Sequence, residues 1–169
     1  MPGFAPDLLA QQHADKDTLN RTYKDWTIVD PAEPGLSCFV IQQVFSKKSG
    51  AKLVEASLYP IETKGAKKSF EAIFTLSVPT GVDLVSGIAY RHVEGKKTAI
   101  GLEWQSCNSK RCTATGKISR KELKRLRREK YVVVGFRPLP TSRVLNVPLS
   151  LLGLTRAWRE IDRCGQKRK

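Results

Sequence analysis

The stretch EWQSCNSKRCTATGK, residues 103–117, holds the side chains best suited to chemistry. Cys107 and Cys112 stand with four residues between them, two of which are the basic Lys110 and Arg111. Three chemistries fit such a pair: half of a zinc site, a redox couple, or a disulfide closing a short loop. Zinc wants two close pairs, and the other cysteines, Cys38 and Cys164, are isolated. A thioredoxin-like couple wants two intervening residues in a βαβ setting, and neither is present. Lys110 and Arg111 would favour a thiolate, so a thiol-active protein stays open as an alternative. A disulfide across the turn-forming NSKR sequence is the simplest reading.

Other catalytic types are sparse. The chain has two histidines, His13 and His92. His92 lies beside Arg91 and close to a turn, and reads as an exposed polar strand residue. No nucleophile elbow, zinc-protease helix, Walker loop or dinucleotide fingerprint is present. The carboxylates form no pair in sequence. An enzyme is therefore not expected, nor a metal or cofactor.

Charge is the other strong signal. A net charge of +14 and a pI near 9.9 imply attraction to something anionic, though solubility alone would also use such charge. The charge is densest in ISRKELKRLRREK. There Arg120, Lys121, Lys124, Arg125, Arg127, Arg128 and Lys130 outnumber Glu122 and Glu129. Helical spacing puts Arg120, Lys124, Arg127 and Arg128 on one outer face and leaves Leu123 and Leu126 for the core. An ordinary solvated helix face would look the same. Nucleic-acid binding would want aromatic residues interleaved with the charge. Tyr90 and Trp104 are the candidates, but no recognition motif accompanies them.

These residues must be positioned by mostly extended elements. YKDWTIVD, LSCFVIQQVFS, AKLVEASLYPI, SFEAIFTLSV, GIAYRHV, TAIGLEWQS, CTATGKI, YVVVGFRPL and RVLNVPL read as strands, with turns at KKSG, TKGAKK and EGKK. Two segments break the pattern. Ser119 followed by Glu122 is a capping box, with Ile118 and Leu123 as its hydrophobic staple, and predicts a helix of about three turns. SLLGLTRAWREI predicts a C-terminal helix with Leu151, Leu154, Trp158 and Ile161 on its apolar face. Many short strands at regular intervals argue for a β-sandwich, with a small antiparallel barrel as the competing architecture. The apolar runs are too short to span a bilayer. The opening MPGFAPDLLAQQHADKD lacks the basic and apolar regions of a signal peptide.

Several stretches together resemble the invasion-associated locus B family of bacteria: DWTIVD, CFVIQQ, VPTGVDLVSGIAYRHV, CNSKRCTATGKI and PLSLLGLTRAWREI. The matching positions are Trp26, Cys38 and Gln42; Pro79, Gly81, Asp83, Leu84 and Gly87; Cys107, Cys112 and Ala114; and Ser150, Leu151 and Gly153. The resemblance covers residues 23–163. It implies an all-β, immunoglobulin-like antiparallel sandwich carrying the short basic helix and the C-terminal helix. It implies a secreted or periplasmic protein, made with a cleaved signal peptide, and no catalytic residues. In pathogenic relatives it implies a link to host-cell invasion. Similar sequences usually carry a further Cys four residues after the Trp, where this chain has Asp30. The resemblance thus implies that Cys38 has lost its usual partner and that the extra Cys164 replaces it.

The expected organisation is a poorly ordered lead-in (1–22), one domain (23–165) and a basic tail (166–169). The expected function is a non-enzymatic interaction protein of the bacterial envelope. Its expected partner is an anionic host or envelope surface, such as a glycan or lipid head group, or a host protein. Arg120, Lys121, Lys124, Arg125, Arg127 and Arg128 are the candidate contacts. Nucleic acid is the remaining alternative partner. The sequence leaves the oligomeric state undefined.

Overall fold

The computed structural model describes residues 20–31, 33–61 and 71–166. The TKGAKK turn, most of the lead-in and the end of the tail lie outside the described residues. Ten strands and two helices follow one another: β1 (Arg21–Tyr23), β2 (Trp26–Val29), β3 (Phe39–Phe45), β4 (Lys52–Pro60), β5 (Ala72–Pro79), β6 (Ile88–His92), β7 (Ala99–Cys107), β8 (Arg111–Ile118), α1 (Arg120–Leu126), β9 (Tyr131–Phe136), β10 (Leu145–Ser150) and α2 (Leu154–Gln166). Every pairing is antiparallel, in the order β1-β2-β3-β4-β5-β8-β7-β6-β9-β10.

Period-two alternation decides which side chains enter the core. On β5, Ala72, Phe74, Leu76 and Val78 are buried while Ile73, Thr75 and Ser77 are only partly covered. On β6 the inward set is Ile88, Tyr90 and His92, and on β9 it is Val132, Val134 and Phe136. The hydrogen bonding is continuous, and β7 is its joint. Ala99–Leu102 pair with β6, and Glu103–Cys107 pair with β8, with a register shift between Trp104 and Ser106. Such an irregularity bends a strand and strengthens its local twist. The inner faces of the two halves meet where Phe74 of β5 packs edge-on against Tyr90 of β6, centroids 5.2 Å apart.

The two ends of the chain close on each other. The fully buried Trp26 donates its indole N–H to Ser150 O at 3.0 Å. Asp25 N donates to Leu152 O, and Ser150 Oγ donates to Asp25 Oδ2. Gly153 follows with φ +93°, and a Cβ there would lie 1.8 Å from Tyr23 O. From this junction α2 runs with Leu154, Ala157 and Ile161 buried against β1, β2 and β3. Arg156 lies over the Tyr23 ring at 5.0 Å.

Gly153→Ala should destabilise the protein by about 2 kcal/mol or more, since it meets both a left-handed backbone and a backbone oxygen. Gly95→Ala, also at positive φ but with open space around it, should cost only about 1 kcal/mol. Urea denaturation of both variants measures the difference. Equal losses would show that the close approach at Gly153 has no weight.

Candidate functional site

The basic helix begins as its cap predicts. Ser119 Oγ accepts from Glu122 N at 3.2 Å, and Ile118 and Leu123 are buried together. The return half of the capping box is replaced by another use of Glu122. Its Oε1 accepts from Tyr90 Oη at 2.9 Å and lies 2.6 Å from His92 Nε2. The helix spans seven residues, two turns rather than three. It stops at Arg127 because the chain then dives inward, carrying the buried Glu129 to His92 Nδ1 at 3.0 Å.

His92 is therefore not the exposed strand residue the sequence suggests. It is 0 % exposed, because strand alternation puts it on the inner side with Ile88 and Tyr90. An ionised carboxylate only accepts hydrogen bonds. Each ring nitrogen of His92 is thus engaged by one glutamate, Nε2 by Glu122 and Nδ1 by Glu129. Arg125 completes the network: its Nε donates to Glu129 Oε1 at 2.7 Å, and its guanidinium also reaches Glu94 O and Lys96 O. Burial, then the neighbouring Glu122 charge and its hydrogen bond, pushes the Tyr90 phenol well above the usual tyrosine range. The cluster is closed to solvent at His92 and acts as a clamp that seats α1 on β6.

The remaining cations divide by surroundings. Arg120 pairs with Glu71 at 2.8 Å, and Lys121 is exposed. Lys124, Arg127 and Arg128 line a cleft with Arg120, Glu71, Leu123, Thr155 and Arg159, of about 580 Å³. Thr155 Oγ1 donates to Arg127 O at 2.7 Å and braces α2 against the end of α1. Of the six cations proposed from sequence, the structure thus gathers four at the cleft, leaves Lys121 beside them, and places Arg125 inside the clamp. Sequence reasoning missed Arg159 and Thr155. Their helical spacing in TRAWREI was readable, but the approach of α2 to α1 was not.

The stretches behind the resemblance do structural work. Gly81 and Gly87 take positive φ, while Asp83 accepts from Val85 N and Ser86 Oγ and pairs with Arg137. Asn108 Oδ1 accepts from Lys110 N and Arg111 N, turning the β7–β8 hairpin. At its base Cys107 and Cys112 face each other and are joined by a disulfide. A second disulfide joins Cys38 and Cys164, 126 residues apart. Asp30 lies beside that bridge, with its carboxylate and both sulfurs within 4.8 Å of one another. Both sulfurs are committed to the bond, so this trio does not form a metal site. Tyr90 is buried and offers no stacking face for nucleic-acid bases, while Trp104 is half-buried and packs against the core.

Fold and site together define a mainly β protein: a ten-stranded antiparallel sheet tied by two disulfides, with a cationic cleft between its two helices. Residues 26–162 match the family model described as Invasion associated locus B (IalB) protein, and the chain belongs to that family. Among solved structures it is similar to the crystal structure of invasion associated protein B from Bartonella henselae. Identity is 20%, the TM-score is 0.71, and the match covers 88% of this chain and 99% of that one. At that identity the likeness establishes the fold. No curated protein matches the chain.

Two outcomes test this architecture. His92→Leu takes the shared imidazole partner from the buried Glu129 and the partly buried Glu122 and should cost about 3–5 kcal/mol, with early loss of amide protection in α1. Guanidinium denaturation with hydrogen exchange measures both; a loss under 1 kcal/mol would remove the clamp from consideration. In the chain-entropy treatment, the long Cys38–Cys164 loop contributes about 5 kcal/mol and the short Cys107–Cys112 loop about 2 kcal/mol. Replacing each pair by serines should therefore lower Tm more for the first pair, and calorimetry showing the reverse order would contradict it.

Proposed function

We propose that the protein is an exported, non-enzymatic interaction protein of the bacterial envelope that docks on an anionic surface through α1 and its flank. The observation that carries this reading is the set Lys124, Arg127, Arg128 and Arg159. Among the described residues none of these cations has a carboxylate partner, while Arg120 and Arg125 do. Converging like charges cost stability, so their grouping is explained by an external anion better than by solvation. Two disulfides support an oxidising compartment, periplasmic or secreted. Among the described residues no helix is long and apolar enough to cross a membrane. The name of the Bartonella protein, invasion associated protein B, supports a setting of contact with a host or envelope surface bearing lipid head groups or acidic glycans.

The test is retention on heparin and on anionic vesicles across a salt series. Exposed charges are screened within about 10 Å at 0.1 M salt, so binding should weaken steeply as salt rises. Reversing the exposed Lys121, Lys124 and Arg128 to Glu should weaken vesicle partitioning about a hundredfold, since each basic residue near an anionic bilayer contributes about 1 kcal/mol. The same reversal at Lys47, Lys48 and Lys110, exposed elsewhere, should matter far less. Equal losses from both triples would assign binding to net charge alone.

A further inference from the structure

The cleft between α1 and α2 holds an unexplained group. Arg127 Nε is buried and has no hydrogen-bond partner in the protein. Arg111 and Arg137 have a similarly unmatched Nε, but their terminal nitrogens bond to Ser77 O and to Asp83. Among the described residues, the Arg127 side chain makes no hydrogen bond or ion pair at all. A buried donor left unmatched is costly, and in native proteins it points to a water or an ion.

The surroundings favour an anion over water. Lys124, Arg127 and Arg128 reach the cleft from the end of α1 and the turn after it, and Arg159 from α2, while the single carboxylate there, Glu71, is held by Arg120. Three of those four cations are arginines, whose planar forks match the oxygens of a tetrahedral oxyanion. The backbone supporting them is fixed, since Thr155 holds Arg127 O and the His92 clamp seats α1. A cleft of about 580 Å³ lies within the range of small-molecule sites and exceeds what a lone water needs.

We infer that the cleft lined by Lys124, Arg127, Arg128 and Arg159 binds a phosphate monoester group, either on a free small molecule or on a lipid head group. This deepens the docking reading by giving the cationic face one recessed, stoichiometric site. A monoester is favoured over a diester because it carries three terminal oxygens and up to two charges for four cations.

The experiment follows backbone amide shifts of the full chain during titration with inorganic phosphate and with glycerol 3-phosphate, at constant ionic strength. Both should saturate with a Kd of about 1 mM or tighter, with shifts concentrated in 124–128 and 155–159. Arg159→Ala, an exposed change on α2, should weaken binding about tenfold without altering the rest of the spectrum. A second arm compares vesicles containing phosphatidic acid with vesicles containing phosphatidylglycerol at matched surface charge. Preference for phosphatidic acid, competed by glycerol 3-phosphate, supports the site with a head group as the source. Saturation by the soluble monoesters without that preference supports it with a free solute. Absence of a saturable phosphate response, or an unchanged Kd in Arg159→Ala, overturns the inference. If heparin retention through α1 persists in that case, the docking reading survives alone; if phosphate saturates but heparin is not retained, the cleft survives and surface docking fails.

Discussion

The interior charge network around His92 fixes where the cationic helix can lie. A seven-residue helix has too few hydrogen bonds to be stable by itself. Here α1 is held from below by Leu123 and Leu126 and from the side by Glu122 and Glu129, both gripping one imidazole. Apolar contacts alone would allow the helix to rotate or slide. Two carboxylates on opposite ring nitrogens allow one position, because moving either would break its hydrogen bond to the fully buried imidazole.

That arrangement divides the basic residues into two populations. Arg125 is consumed inside, neutralising Glu129 and tying down the loop after β6 through two carbonyls. Arg120 is balanced by Glu71. What remains on the outer side has no internal purpose visible among the described residues. Charge counting along the sequence treats all of these residues alike, and only the packing separates structural cations from available ones.

The contrast explains what the sequence reveals. Strand alternation on β5 and the cap at Ser119 depend on neighbours two to four residues apart, so both are readable from the chain. The family stretches are readable for a related reason: Asp83 and Asn108 accept backbone amides within their own turns and Gly81 takes a positive φ there, although Asp83 also pairs with Arg137, 54 residues on. His92 was misjudged because its partners lie 30 and 37 residues away, and because Glu122 had a plausible local task as a cap. Arg159 escaped notice because its relevance depends on α2 reaching α1. The union of Trp26 with Ser150, 124 residues apart, positions that helix, and no periodicity reports it.

The Cys38–Cys164 bond bears on the cleft from a distance. It anchors the far end of α2 next to β3, and the same helix supplies Arg159 and Thr155. One wall of the cleft is therefore tethered by a covalent bond whose survival depends on the redox poise of its surroundings. In the reduced chain α2 keeps its apolar face and the Gly153 junction but loses its distal mooring, and that wall gains freedom to sway. Oxidation thus shapes a surface as well as a fold: the bond that joins Cys38 to the end of α2 also steadies the cationic wall that carries Arg159.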